Sequence, residues 1–341
     1  MLWPGTMIRI CAYDRPDDRY LRYLAQYGVQ DVVLSEGSLP DHETRFAPDN
    51  LDSADAHWDY HGTVVAKQRC EDAGMRVAAI ENALPNAACD QIILGLPGRD
   101  RQIENVAATI ESMGRAGIPA LGYNWMVNEP ELQRRSWRTS LSTPGRGGSM
   151  SSSFDAKLSA AAPPFRDRVY TREEMWANYE YFIRAIVPVC EASGVRLALH
   201  PDDPPVEELG GIPRLFGSPE GHARAMEIAG SSASGLNLCL GNWTAMGTDI
   251  PAAIRHHGEC GDIVYGHVQG VQGAVPAFRE CYLDEADCDF LAALRTLDEV
   301  GFDGVLLPGH VPHSEYEDER GSQGMAFAIG YVRGLLQAFE A

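Results

Sequence analysis

The sequence lacks the features of a membrane-spanning, secreted or nucleic-acid-binding protein. No stretch approaches the ~20 consecutive apolar residues that cross a bilayer, and the start of the chain has neither the basic residues nor the apolar run of a signal peptide. Basic residues are scarce: 28 Lys and Arg stand against 48 Asp and Glu, a formal net charge of −20. A field of that sign repels phosphate backbones and anionic headgroups. We therefore expect a cytoplasmic protein with no nucleic-acid partner and no membrane partner.

Closely spaced cysteine pairs are also missing. No two of the eight cysteines occur as C-x-x-C. A chain of 341 residues can bury a large core without disulfides. We predict that most of the cysteines are buried free thiols: Cys11, Cys70, Cys89, Cys190, Cys239, Cys260, Cys281 and Cys288.

What the sequence does contain is a regular alternation of strand-like and helix-like segments. One helix is predicted to begin near Asp100, as its N-cap, and to end at Gly117; another begins at a capping box of Thr171 and Glu174 and ends at Gly194. The segments rich in Val, Ile, Leu and Tyr that predict strands are Met7–Tyr13, Val29–Ser35, Met75–Glu81, Pro119–Trp125, Arg196–Pro201, Leu236–Gly241, Asp262–Gln269 and Gly304–His310.

Eight strand-helix units favour an α/β fold of the closed (β/α)8 TIM-barrel type, with an open doubly wound sheet as the alternative. We expect one domain over residues 1–341. The segment Ser140–Pro164 is rich in Ser, Gly, Pro and Ala, without periodicity of either kind. It predicts a long active-site loop, at about 126–170, on the carboxyl side of the barrel, where long loops act as lids or binding elements.

Polar side chains end most of the predicted strands, and in a barrel these ends meet at one mouth. Imidazole and thiolate are good ligands for divalent transition metals, and two His with one Cys leave positions open for water or substrate. We predict metal ligands at His200, Cys239 and His267. The other candidates are His310, Tyr123 and Glu81 for proton transfer or contact with substrate hydroxyls, and Asn124, Arg138, Arg146 and Asp202 for substrate binding.

The motif Leu197-Ala-Leu-His-Pro-Asp-Asp-Pro-Pro205 resembles the metal-binding motif of the mannonate dehydratases of glucuronate breakdown. The likeness covers nearly the whole chain, least well over the first 60 residues, and extends to Leu94-Gly-Leu-Pro-Gly-Arg-Asp100, Gln102-Ile-Glu-Asn105, Tyr123-Asn124, Trp137-Arg138-Thr139, Arg146-Gly147-Gly148, Phe154-Asp155 and Ala328-Ile-Gly-Tyr331.

The resemblance implies a xylose isomerase-like barrel that removes water from D-mannonate to give 2-keto-3-deoxygluconate, using manganese or iron. It implies four metal ligands, a His, a Cys, a second His and an Asp, of which the first three match His200, Cys239 and His267. Barrels of this superfamily are commonly oligomeric, so a homo-oligomer is expected by analogy.

This chain departs from the family pattern at several positions. Where the family has Arg-Pro-Asp-His, the chain reads Leu307-Pro308-Gly309-His310, so the expected aspartate is Gly309. The Arg-Asn pair after the second metal histidine is replaced by Gln269-Gly270, and the aromatic and basic residues of the first strand by Ala12-Tyr13. A site of two imidazoles and one thiolate favours zinc or iron over manganese. His310 or Glu315 are the candidates for a substitute ligand.

The sequence leaves three functions open. The first is a metal-dependent carbon-oxygen lyase acting on a sugar acid, because the enolate formed beside a carboxylate needs a cation to neutralise it. The second is an isomerase or epimerase of a sugar or keto-sugar, which needs no leaving hydroxyl. The third is a non-catalytic sugar-binding relative.

Overall fold

The structure, a computed structural model, describes residues 8–14, 17–127, 138–161, 163–166, 168–318 and 321–338. In chain order its strands are β1 (Arg9–Tyr13), β2 (Asp31–Leu34), β3 (Arg76–Glu81), β4 (Ala120–Tyr123), β5 (Ser140–Pro144), β6 (Met150–Asp155), β7 (Arg196–Leu199), β8 (Glu208–Leu209), β9 (Ile212–Pro213), β10 (Ser234–Cys239), β11 (Ile263–Val268), β12 (Gly270–Ala274), β13 (Ala277–Cys281) and β14 (Val305–Pro308).

Eight of these strands close into a parallel barrel, in the order β1-β14-β11-β10-β7-β4-β3-β2. They coincide with the eight strands predicted from sequence, so the closed TIM barrel is confirmed and the open sheet was wrong. The barrel closes because β1 pairs with β14 as well as with β2, for example Arg9 with Val305 and Cys11 with Asp31. All eight carboxyl ends therefore surround one mouth.

Helices follow the strands along the chain. They are α1 (Asp18–Gln26), α2 (His42–Arg45), α3 (Tyr60–Asp72), α4 (Asp90–Leu94), α5 (Arg99–Ala116), α6 (Ala156–Ser159), α7 (Arg172–Ser193), α8 (Pro219–Ala229), α9 (Leu240–Ala245), α10 (Ile250–Glu259), α11 (Phe290–Glu299) and α12 (Ser322–Gln337). Among the described residues, none of these helices is both long and apolar enough to cross a membrane.

The helix ends follow the expected capping chemistry, with one correction. The Thr171 hydroxyl accepts from the Glu174 N–H while the Glu174 carboxylate accepts from the Thr171 N–H, which is the predicted capping box of α7. Gly117 and Gly194 end α5 and α7 in the left-handed conformation, as predicted. Asp100 is not the N-cap of α5, however; Gly98 holds that position and Asp100 lies in the first turn.

Two packed layers form the core. Small and branched side chains fill the barrel lumen, and a larger cluster lies between the strands and the helices. Buried residues of the lumen cluster are Cys11, Val33, Ala79, Ala120, Ala198, Tyr265, Val305 and Leu307. Because side chains alternate along a strand, the next lumen positions on several strands are the polar residues that face the mouth.

The expected loop over residues 140–164 contains regular structure, which corrects the prediction. Strands β5 and β6 form an antiparallel hairpin, and β6 pairs with β13 to give a four-stranded sheet, β12-β13-β6-β5, outside the barrel. Local periodicity misses this hairpin because its strands are rich in Ser and Thr and its stabilising partner lies more than 120 residues away. Residues 128–137, which include Trp137 of the resemblance motif, lie outside the described residues.

The cysteines behave largely as predicted. All eight are free, and six are buried. Cys260 is exposed and Cys89 is half-buried.

Candidate metal centre

The three predicted metal ligands converge at the mouth of the barrel. His200 directly follows β7, Cys239 ends β10 and His267 lies in β11, where it is the register partner of Cys239. One donor atom from each lies within 4.8 Å of the other two, with Cys239 and His267 buried and His200 half-buried. Within the described residues, this is the group of His, Cys, Asp and Glu side chains that is placed to hold a metal.

The His200 ring is oriented by the backbone. Its Nδ1 atom lies 2.7 Å from the carbonyl oxygen of Pro201. A carbonyl can only accept, so Nδ1 carries the proton and the lone pair is on Nε2. The turn that follows β7 therefore presents His200 to the centre in the form in which imidazole binds metals.

The His267 ring is oriented by Glu81 at the end of β3. The Nε2 atom of His267 lies 3.0 Å from Oε2 of Glu81, and the carboxylate is 4% exposed. The ionised carboxylate accepts, so Nε2 carries the proton and Nδ1 is left for a metal. A carboxylate, an imidazole and a metal in this order form the arrangement that usually fixes metal-ligating histidines.

Two further groups, both missed by the sequence analysis, hold Glu81 in place. The Tyr265 hydroxyl donates to Oε2 of Glu81 at 2.6 Å, and the Asn237 amide donates to the same atom at 3.3 Å. These residues below the metal ligands are called here the floor of the centre. Gly122 belongs to it, because a Cβ at this position would overlap the hydroxyl oxygen of Tyr265. Asn237 and Tyr265 lie two positions before Cys239 and His267 on β10 and β11, so the period of two in a barrel strand could have identified them.

The charges of the centre suit a bound cation. Burial raises the pKa of the Cys239 thiol, but hydrogen bonds to His200 and His267 outweigh it and bring that pKa down to about 6. Burial also opposes ionisation of Glu81, yet the His267 charge lowers its pKa to about 2. The thiolate that a metal requires is therefore the favoured form near neutral pH.

The donor set fits a transition-metal ion. Imidazole and thiolate suit zinc and iron better than they suit magnesium or calcium, which prefer oxygen ligands. Three protein donors also leave coordination positions open, as in catalytic rather than structural sites. The cluster contains neither His310 nor Glu315, the two candidate substitute ligands.

A second group of charges lies beside this centre and is called here the Arg138 cluster: Arg138, Asp203, Glu280 and His310. The Arg138 guanidinium, 5% exposed, donates to both carboxylate oxygens of Asp203 at 2.5 and 3.0 Å and to Glu280 at 2.6 Å. The charge of Glu280 raises the pKa of His310. Arg138 and His310 are candidates from the sequence, whereas Glu280 and the pairing of Arg138 with Asp203 are not, because no local pattern connects segments this distant.

Two of the positions that depart from the family pattern, Gln269 and Gly309, lie next to the Arg138 cluster. Leu307 is fully buried in the lumen. A Cβ on Gly309 would lie 3.3 Å from Oε1 of Gln269, while Nε2 of Gln269 donates to Glu280 at 3.1 Å. The Gln269 amide thus lies against the space where a side chain at position 309 would begin.

Tyr123 does not face the mouth. Gly122, the register partner of Glu81, faces the lumen. Because successive residues of a strand face opposite sides, Tyr123 faces the helices. The Tyr123 hydroxyl lies 3.1 Å from that of Tyr179 in α7. Its assignment to proton transfer is therefore corrected to a packing role.

The predicted substrate-binding residues have varied surroundings. Arg138 is neutralised by two carboxylates, and Arg146 is half-exposed and paired with Asp284 on the outer sheet. Asp202 is buried and accepts from the Phe216 N–H at 2.6 Å. Asn124 donates to Asn82 at 2.9 Å, which ties together the ends of β3 and β4. Of these four, Asn124 contacts a neighbouring strand end, whereas Arg138, Arg146 and Asp202 are each paired with groups of opposite charge; their role in substrate binding stays a prediction.

Comparison with known proteins identifies the family. The D-mannonate dehydratase (UxuA) family model matches residues 8–164 and 165–341. The mannonate dehydratase of Streptococcus suis strain 05ZYH33 is 31% identical over 281 residues, which covers 74% of each chain. That of Thermotoga maritima is 27% identical over 328 residues, 83% of this chain and 87% of the relative.

Solved structures show the same relationship. The crystal structure of mannonate dehydratase from Streptococcus suis serotype 2 superposes with a TM-score of 0.84 at 26% identity, covering 98% of this chain and 94% of that one. A D-psicose 3-epimerase from Clostridium cellulolyticum H10 shares the barrel, with a TM-score of 0.62 at 12% identity over 96% and 99% of the two chains. This second likeness concerns the fold alone. From the matched family model and these relatives, the chain belongs to the D-mannonate dehydratase family.

Proposed function

We propose that the protein is a metal-dependent hydro-lyase that removes water from a sugar acid, with D-mannonate as the substrate and 2-keto-3-deoxygluconate as the product. The observation that carries this proposal is the convergence of His200, Cys239 and His267 at the mouth of a barrel that the family model matches from residue 8 to residue 341.

His200, Cys239 and His267 would hold the metal, and iron or zinc suits these donors better than manganese. When bound, such an ion supplies the positive charge that neutralises a developing enolate beside a carboxylate. The chain's own residues do the remaining work. Glu81 fixes the His267 ring, and the floor of Tyr265 and Asn237 holds Glu81.

His310 is the residue we propose for proton transfer. It follows β14 at the mouth, and its side chain is 56% exposed, so a substrate can reach it. Imidazole exchanges protons near neutral pH, and dehydration needs a proton to be taken from carbon and a proton to be given to the leaving hydroxyl.

The test is turnover of D-mannonate by protein loaded separately with Fe²⁺, Mn²⁺ or Zn²⁺ under anaerobic conditions. Formation of a 2-keto-3-deoxy acid, lost in Cys239→Ser and kept in Cys260→Ser, is the expected result. Cys260 is exposed and lies outside the centre, so its variant controls for thiol chemistry elsewhere. Bound metal with no elimination from any aldonic acid offered would overturn the proposal, and would favour a sugar-binding protein.

Two substitutions favour a second candidate, an isomerase or epimerase of a sugar or keto-sugar. Leu307 and Gln269 are uncharged where the family has arginines, which reduces the positive charge available for a substrate carboxylate. Incubation with ketohexoses in D₂O separates the two candidates. Incorporation of deuterium at carbon without loss of water supports the isomerase, whereas elimination from D-mannonate supports the lyase.

A further inference from the structure

We propose that Glu280 is a positioning residue for His310: it holds the imidazole through Nδ1 and so leaves Nε2 for proton transfer. The inference rests on the proposed function, because it assigns a partner to the residue that moves the proton. Glu280 lies in β13, in the sheet outside the barrel, whereas His310 follows the last barrel strand.

The contact between the two side chains is short and joins a buried group to an exposed one. Nδ1 of His310 lies 2.6 Å from Oε1 of Glu280. Glu280 is 6% exposed, while the His310 side chain is 56% exposed. Packing alone therefore does not immobilise the imidazole, and the Glu280 carboxylate is the anchor that the structure provides for it.

The surroundings of Glu280 determine which nitrogen of His310 carries a proton. Oε1 of Glu280 also accepts from Nη2 of Arg138 at 2.6 Å and from Nε2 of Gln269 at 3.1 Å. Arginine has donors and no acceptor, so the carboxylate is ionised and accepting. His310 must then donate from Nδ1, and the lone pair of the neutral ring lies on Nε2, away from the carboxylate.

The charge balance of the Arg138 cluster favours a proton on His310. The charged groups that face its ring are Glu280 from β13, Asp203 from the turn after β7, and Arg138 from the segment before β5. Two carboxylates and one guanidinium leave a net charge of −1, which an imidazolium cancels. Glu280 thus both orients the ring and stabilises its protonated form.

The first test measures His310 directly in the zinc-loaded protein. Its imidazole ¹⁵N and ¹H signals are assigned by their loss in His310→Gln and followed against pH. In Glu280→Gln we expect the titration midpoint to fall by about one pH unit or more, and the neutral ring to lose its preference for the Nδ1–H form. Asp284→Asn, which removes an exposed carboxylate near the same sheet, is the matched control and leaves both unchanged.

The second test is a double-mutant cycle on turnover. Glu280→Gln should lower kcat at least about tenfold with little change in KM, since it misplaces a proton-transfer group. The same substitution in a His310→Gln background should cost nothing more, because Glu280 acts through His310. Glu280→Asp, which keeps the charge, should restore part of the midpoint and part of kcat, and it also serves if Glu280→Gln is poorly folded.

The outcomes separate this inference from the proposed function. An unchanged His310 midpoint and tautomer in Glu280→Gln would overturn the role of Glu280 whether or not the protein dehydrates a sugar acid. An equal loss of kcat in both backgrounds would overturn it as well. A shifted midpoint in a protein that eliminates no water would retain the positioning role and refute the hydro-lyase.

Discussion

The imidazole of His267 and the carboxylate of Glu81 form a buried hydrogen-bonded pair across the lumen, from strands that are not neighbours in the barrel. Replacing Glu81 by Gln removes the charge that orients His267, and we expect metal affinity to fall by about ten- to a hundredfold. Chelator competition measures the change. Glu104→Gln, at an exposed pair with Arg101, is the control and keeps wild-type affinity; equal affinities for both variants would contradict the pairing.

Removal of a direct donor should have a larger effect than removal of its partner. We expect His200→Ala and Cys239→Ser to lose the bound metal almost completely while their circular dichroism spectra stay native, because the ligands lie at strand ends rather than inside the packed layers. Elemental analysis of the purified proteins makes the measurement, with Cys260→Ser as the control. Full metal content in either ligand variant would refute the assignment.

Adding a carboxylate at position 309 should change the preference for metal ions. Gly309→Asp needs Gln269 to move, since a Cβ there lies 3.3 Å from Oε1 of that side chain. The variant to measure is therefore Gly309→Asp combined with Gln269→Arg, whose arginine can pair with Glu280. For it we expect the Mn²⁺-to-Zn²⁺ affinity ratio to rise about tenfold, equivalent to about 1.4 kcal/mol. An unchanged ratio from metal competition would show that position 309 does not reach the centre.

Tyr123→Phe tests the corrected role of that residue. It removes one hydrogen bond to Tyr179 between the barrel and α7, so we expect a loss of about 1 kcal/mol in the free energy of unfolding and less than about a twofold change in kcat. Urea denaturation and steady-state kinetics provide the two readouts. A large loss of kcat without loss of stability would return Tyr123 to the active site.

His222 should make the protein sensitive to mild acid. Burial lowers the pKa of this fully buried ring to about 4, below its value of about 6.5 in an unfolded chain. The unfolded state therefore binds more protons between these values, and stability falls as pH drops from about 6.5 towards 4.

The variant His222→Phe removes this titration but also the hydrogen bond to the Ser218 carbonyl. The bond's loss is a constant offset, so the slope of stability against pH is the informative quantity. We expect a shallower slope in the variant over this interval, measured by denaturant unfolding at several pH values. Parallel slopes in the two proteins would contradict the prediction.

The barrel and the convergence of its three candidate ligands could be predicted from sequence for a common reason. Parallel strands buried on both faces are short apolar runs, and a polar ligand at the end of such a run is conspicuous. His200 directly follows β7, Cys239 ends β10 and His267 is the last residue but one of β11. Tyr123 was misassigned because strand ends were identified without counting the alternation, which places Gly122 rather than Tyr123 towards the lumen.

The outer sheet and the Arg138 cluster could not be predicted from short apolar runs. β6 has little apolar alternation of its own and is stabilised by β13, which comes from a different part of the chain. That pairing holds β13, and with it Glu280, against the mouth of the barrel. A single acidic residue in a strand does not predict such a position from its neighbours in sequence. Interactions over long sequence separations create these features, and no window of neighbouring residues contains them.

The three-way pairing of Arg138 with Asp203 and Glu280 also constrains how this protein can diversify. The partners lie 65 and 142 residues from the arginine along the chain, yet each is buried and neutralised by the others. Losing Arg138 leaves two carboxylates uncompensated in the interior, which is strongly destabilising, whereas loss of either carboxylate still leaves the arginine one charged partner. These three positions should therefore covary among homologues, because a change at the arginine is tolerated only with matching changes at the two carboxylates.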